Sequence, residues 1–77
     1  MAHRITLLTR TGCHLCDDAR EVVRRVAGAA FDETDVDTDP TLRARYGDLV
    51  PVVLVDGHER GYFRLAEDRL RRALAKA

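Results

Sequence analysis

At 77 residues the chain has room for a single domain, small enough that folding buries only about 60% of its unfolded surface. Its 13 basic and 13 acidic side chains cancel, which removes the electrostatic ground for a nucleic-acid or anionic-membrane partner and leaves proteins or small molecules. No 18 apolar residues run together, and Met1 to Leu8 lacks an apolar core with a small-residue cleavage site, so the chain is expected in the cytoplasm without a membrane span. It is also expected to be a monomer.

Arg4 to Thr9 carries Ile5, Leu7 and Leu8 between two threonines, a short β-prone run that is apolar on both faces and predicts a central strand. Thr11-Gly12 then turns the chain, and a helical pattern opens at Cys13-His14-Leu15-Cys16. Leu15, Ala19, Val22, Val23, Val26 and Ala27 recur at spacings of three and four, with charged residues on the opposite face and Gly28 at the end. Phe31 to Asp37 reads as an exposed edge strand, since Phe31, Thr34 and Val36 are its only clear β-formers among acids. Strand, helix and strand over this length make a βαβ unit with parallel strands.

Asp39-Pro40 marks the start of a short second helix, with Asp as N-cap and Pro at the first helical position, and Gly47 marks its end. Val50 to Val55 is a nearly continuous β-branched run, and Asp56-Gly57 is a hairpin signal that returns the chain through His58 to Phe63. A third helix is predicted from Leu65 to Ala77, with an apolar stripe of Ala66, Leu70, Ala73, Leu74 and Ala77.

The chemistry-bearing feature is the Cys13-x-x-Cys16 pair, which holds both cysteines of the chain at the first turn of a helix. Exchange proceeds through the thiolate, and a helix N-terminus stabilises negative charge through its unpaired N–H groups and its dipole. Cys13 is therefore the expected nucleophile, and Cys16, one turn further in and more enclosed, the expected resolver of a mixed disulfide. In a reducing compartment such a pair is more often catalytic or metal-binding than structural. Two other readings stay open at this point: an iron-sulfur or zinc carrier using Cys13 and Cys16 with borrowed ligands, and a redox-inert binding module.

The order βαβαββα, with Thr9-Arg10-Thr11-Gly12-Cys13-His14-Leu15-Cys16 at the first strand-to-helix junction, Val36-Asp37-Thr38-Asp39-Pro40 after the second strand and Val50-Pro51-Val52-Val53-Leu54-Val55-Asp56-Gly57 at the third, resembles a small glutaredoxin-like protein of the thioredoxin-fold superfamily over essentially its whole length. The resemblance implies an α/β thioredoxin-like fold of glutaredoxin type: a four-stranded mixed sheet in the order 2-1-3-4 with flanking helices. It implies a dithiol-disulfide oxidoreductase of protein or glutathione-mixed disulfides, without a bound cofactor. Glutathione is then a co-substrate, and glutathione or a flavin-dependent reductase the source of electrons. It also makes Pro51 the cis proline that faces the thiols, with the Val50 backbone turned toward an extended substrate. Arg10 matches the family's basic residue near the nucleophile, which favours the thiolate and holds a glutathione carboxylate. The chain departs from the family pattern in having His14-Leu15 between the cysteines, and a lone Gly61 followed by Tyr62-Phe63-Arg64 before the last helix.

Overall fold

The computed structural model describes residues 3–62 and 66–75. Their elements run β1 (Ile5–Thr9), α1 (His14–Ala27), β2 (Asp32–Asp35), a 3-10 turn (Val36–Thr38), α2 (Pro40–Tyr46), β3 (Val52–Val55), β4 (His58–Tyr62) and α3 (Glu67–Ala75). The strands form one mixed sheet in the order β2-β1-β3-β4, with β2 parallel to β1 and β3 antiparallel to both of its neighbours. This is the thioredoxin-like arrangement that the resemblance implies. Among the described residues no helix is long and apolar enough to cross a membrane.

The double-sided apolar character of β1 has a direct cause, because successive side chains of a strand point to opposite faces and both faces are covered. Ile5 and Leu7 join Val53 and Val55 beneath Ala19 and Val23 of α1 and Leu70 of α3. Leu8 and Val52 point the other way, against Val36 and Tyr46. The inward residues of α1, Cys16, Ala19 and Val23, follow the helical period and leave its charged face in solvent. Burial of each large aliphatic side chain in these two clusters stabilises the fold by about 1.5–3 kcal/mol. An ion pair of Arg25 with Glu67 at 2.9 Å joins α1 to α3 at the surface.

The hairpin between β3 and β4 turns at Asp56 and Gly57, both with positive φ (54° and 84°), as a two-residue loop of matching twist requires. The register pairs Val53 with Gly61 but Leu54 with Glu59, so Arg60 is an extra residue that bulges the edge strand. Tyr46 reaches across from α2, and its hydroxyl donates to Glu59 Oε1 at 3.1 Å. Burial, reinforced by this bond to a carboxylate, pushes the Tyr46 phenol above its usual range.

Three boundaries differ from the sequence expectation. The edge strand predicted over Phe31–Asp37 stops at Asp35, because the Asp35 carboxylate accepts the Asp37 N–H at 2.9 Å and the Thr38 hydroxyl donates to the Asp35 carbonyl at 2.7 Å, curling the chain into the 3-10 turn. Val36 is consequently not a strand residue; it is buried under Leu8. The third strand begins at Val52, with Val50 and Pro51 forming the loop that leads into it. The last helix begins at Glu67. Phe63, Leu65, Lys76 and Ala77, included in the predicted last strand and helix, lie outside the described residues.

Candidate active site

β1 ends at Thr9 and the chain turns through Thr11 and Gly12, whose φ of 78° lies in the left-handed region that glycine occupies without steric cost. The turn leaves Cys13 as the N-cap of α1. Its sulfur stands where a serine or aspartate oxygen usually stands and accepts the Cys16 N–H at 3.2 Å. The Cys13 N–H in turn donates to the Arg10 carbonyl at 3.3 Å. Cys13 is partly exposed, whereas Cys16, one turn into the helix, is 1% exposed.

That difference in burial separates the two thiols chemically. Burial and the hydrogen bond with Cys13 push the Cys16 thiol up to about 12, against the smaller opposing effects of the Arg10 backbone and the Arg20 charge. Cys16 therefore stays protonated in the resting protein, and its sulfur is shielded from any molecule too large to enter behind Cys13. The expected division into an accessible and an enclosed sulfur is present in the geometry.

Pro51 is buried and Val50 half-buried, and the Val50–Pro51 peptide bond is cis. Leu8 pairs with Val52 across the antiparallel β1–β3 ladder, so the end of β1 that runs into Cys13 and the start of β3 that follows Pro51 share one edge of the sheet. Topology thus brings Cys13, Cys16, Val50 and Pro51 to the same rim. His14 is exposed as the first residue of α1.

Arg10 lies on this rim as well, partly exposed, and its guanidinium donates to acceptors within the chain. Nε donates to both oxygens of Asp37, at 3.2 and 3.0 Å, and Nη1 donates to the Gly47 carbonyl at 3.2 Å. Beside it the Thr11 hydroxyl donates to Asp35 at 3.1 Å. The loop that carries the nucleophile is therefore anchored to the 3-10 turn and to the end of α2 by Asp35, Asp37 and Gly47. These anchors were not singled out from the sequence, where Asp35 and Asp37 belong to the predicted edge strand. The signal for them is the Asp-x-Asp-Thr pattern, since Asp and Thr side chains bind nearby backbone and so break strands into turns.

The other arginine near the thiols is likewise held. Arg20 forms a fork-to-fork pair with Glu33, at 2.6 and 2.7 Å, and a third bond to Asp17 at 2.9 Å. Glu33 also accepts the hydroxyl of the buried Thr9 at 3.2 Å, and the Arg20 guanidinium holds its carboxyl below the usual range. This network clamps α1 to β2 just below the thiols.

Comparison with known proteins agrees with this fold. An uncharacterized protein of Mycobacterium tuberculosis is 38% identical over 82 residues, covering 96% of this chain and 84% of the relative. An X-ray structure of a protein from X. campestris superposes with a TM-score of 0.82 at 36% identity, covering 95% of this chain and 97% of that one. Glutaredoxin 1 from Francisella tularensis superposes with a TM-score of 0.61 at 25% identity, covering 97% and 95%. The glutaredoxin-like domain model (DUF836) matches residues 4–75, and with the cysteine pair at the head of α1 in a thioredoxin-like fold, the chain belongs to the glutaredoxin-like domain family.

Proposed function

We propose that the protein is a dithiol-disulfide oxidoreductase acting on protein or glutathione-mixed disulfides in the cytoplasm. The observation that carries this reading is the pairing of a partly exposed Cys13 sulfur, facing the Cys16 N–H at 3.2 Å, with an enclosed Cys16 thiol. In the first step the Cys13 thiolate attacks one sulfur of the substrate disulfide. That S–S bond breaks, a substrate thiolate leaves and takes up a proton, and Cys13 is left in a mixed disulfide. In the second step Cys16 gives up its proton and its thiolate attacks the Cys13 sulfur. The second substrate thiolate is expelled, and Cys13 and Cys16 end as a disulfide, two electrons having passed to the substrate.

Two external thiols, from glutathione or from the dithiol of a flavin-dependent reductase, return the pair to its starting state. The chemistry needs no resident cofactor. Val50 and Pro51 lie on the rim where an extended substrate would run, and main-chain pairing with Val50 would hold it without selecting side chains.

The test is a stoichiometric reaction of the reduced protein with a small disulfide-linked protein and with a glutathione-mixed disulfide. Loss of both cysteine thiols for each disulfide reduced, with Cys13 and Cys16 recovered as one cross-linked peptide, is the expected outcome. Retention of both thiols after prolonged incubation would overturn the reading.

A further inference from the structure

We infer that Asp37 sets the specificity of the dithiol site by holding Arg10, so that the site favours disulfides carrying positive charge over anionic ones such as oxidised glutathione. The inference rests on the dithiol reading above and narrows its substrate class.

A free guanidinium beside the nucleophile would attract the carboxylates of an incoming thiol or disulfide. Here the Arg10 Nε lies on both Asp37 oxygens, at 3.2 and 3.0 Å, and Nη1 lies on the Gly47 carbonyl at 3.2 Å. Asp37 already occupies the Nε side of Arg10 and offsets its charge, which weakens its pull on an incoming carboxylate. The wider balance points the same way, because Asp35 and Asp48 also act on Arg10, so that one positive charge faces three negative ones. On the α1 side, Arg20 is shared between Glu33 and Asp17 and adds no unpaired cation.

Oxidised glutathione carries four carboxylates and two ammonium groups and approaches this rim with a net negative charge. A peptide disulfide flanked by arginine or lysine approaches with the opposite sign, toward the acidic side chains that surround Arg10. Since the pair is partly exposed, the discrimination acts through the approach of the charged substrate and weakens with salt.

The experiment is a single-turnover measurement with the pre-reduced protein, which needs no recycling system. Three oxidants are compared: a basic peptide disulfide, an acidic one of equal length, and oxidised glutathione, each at low and at high ionic strength. At low salt the basic peptide should react about tenfold faster than either anionic oxidant, and the ratio should shrink toward one at about 0.5 M salt. Asp37→Asn should raise the rate with oxidised glutathione several-fold, and the gain should vanish in the Asp37→Asn/Arg10→Gln double variant. Equal low-salt rates with all three oxidants overturn the inference while leaving the dithiol reading intact. So does a folded Asp37→Asn variant whose glutathione rate is unchanged. Should that variant fail to fold, the salt-dependent preference of the unaltered protein decides the matter. No reaction with any of the three overturns the reading and the inference together.

Discussion

The backbone N–H of Cys16 donates to the sulfur of Cys13 over 3.2 Å, so the second cysteine stabilises the first through its main chain while its own side chain is buried behind it. The bond acts on whichever form of Cys13 carries negative charge, and it survives replacement of the Cys16 side chain. Cys16→Ser should therefore leave the first step intact and remove only the second. Mixed disulfides at Cys13 should accumulate with protein substrates, and turnover on protein disulfides should fall at least about tenfold. Cys13→Ser should trap nothing and lose turnover entirely. Non-reducing gels and mass spectrometry of the trapped adduct check both, and equal trapping by the two variants would overturn the assignment.

Alkylation should distinguish the thiols in the unmodified protein. With its thiol pushed up to about 12 by burial, Cys16 is almost wholly protonated at pH 7. Iodoacetamide should consume Cys13 well before Cys16 throughout the range of about pH 7 to 9, and Cys16 should respond only as the pH approaches about 12 or the chain is unfolded. Peptide mapping of the two sites against pH gives the answer. Faster labelling at Cys16 would contradict the burial that separates them.

A second pH dependence belongs to the opposite end of the molecule. His3 Nδ1 lies 2.7 Å from the Asp56 carboxylate and Nε2 lies 2.8 Å from the Leu74 carbonyl, so both nitrogens face acceptors and only the protonated ring can donate to both. The bond to Asp56 raises the His3 pKa above its ordinary value. The native state then binds this proton more tightly than the unfolded chain does. The stabilisation is complete below about pH 6.5 and is lost as the pH rises through the native His3 value. The partner behaves oppositely: the Arg4 N–H, and then His3, lower the Asp56 pKa, so its contribution is lost as the pH falls through the native Asp56 value. Melting temperature against pH should decline from about pH 6 to 9 more steeply in the unaltered protein than in His3→Gln. Parallel curves would remove His3 from the account.

Gly47 offers a test of the anchor beneath the nucleophile loop. A Cβ there would lie 2.5 Å from the Arg43 carbonyl oxygen, a backbone atom that cannot swing aside. Gly47 is also the residue whose carbonyl receives Arg10 Nη1 at 3.2 Å. Gly47→Ala should cost about 1–3 kcal/mol as the end of α2 shifts, lowering the melting temperature by about 4–8 °C per kcal/mol in a domain of this size. Thermal unfolding measures it, and an unchanged midpoint would mean that the loop gives way freely.

Local chemistry made most of the architecture legible in the residues. The apolar run of β1, the three-and-four spacing in α1, Asp39-Pro40 ahead of α2 and Asp56-Gly57 at the hairpin each act within a few residues, so each is written where it operates. The Asp39 carboxylate caps α2 by accepting the Thr41 and Leu42 N–H groups, at 2.9 and 3.3 Å, as the sequence leads one to expect. The end of β2 was less legible, because the acids that look like an exposed strand use their side chains to bend the backbone instead.

By itself the sequence determined the order of the elements and the position of the two sulfurs, since hydrophobic period, turn residues and cysteine spacing are properties of neighbouring residues; the sheet order came from the family resemblance. Only the tertiary structure decided what surrounds them. The burial that separates Cys16 from Cys13 depends on how α1 packs on the sheet, and the partners of Arg10 at positions 37 and 47 are brought to it by the 3-10 turn after β2 and by the end of α2. A charge on a chain acquires its meaning from the groups that face it, and those groups are far along the sequence and adjacent only after folding.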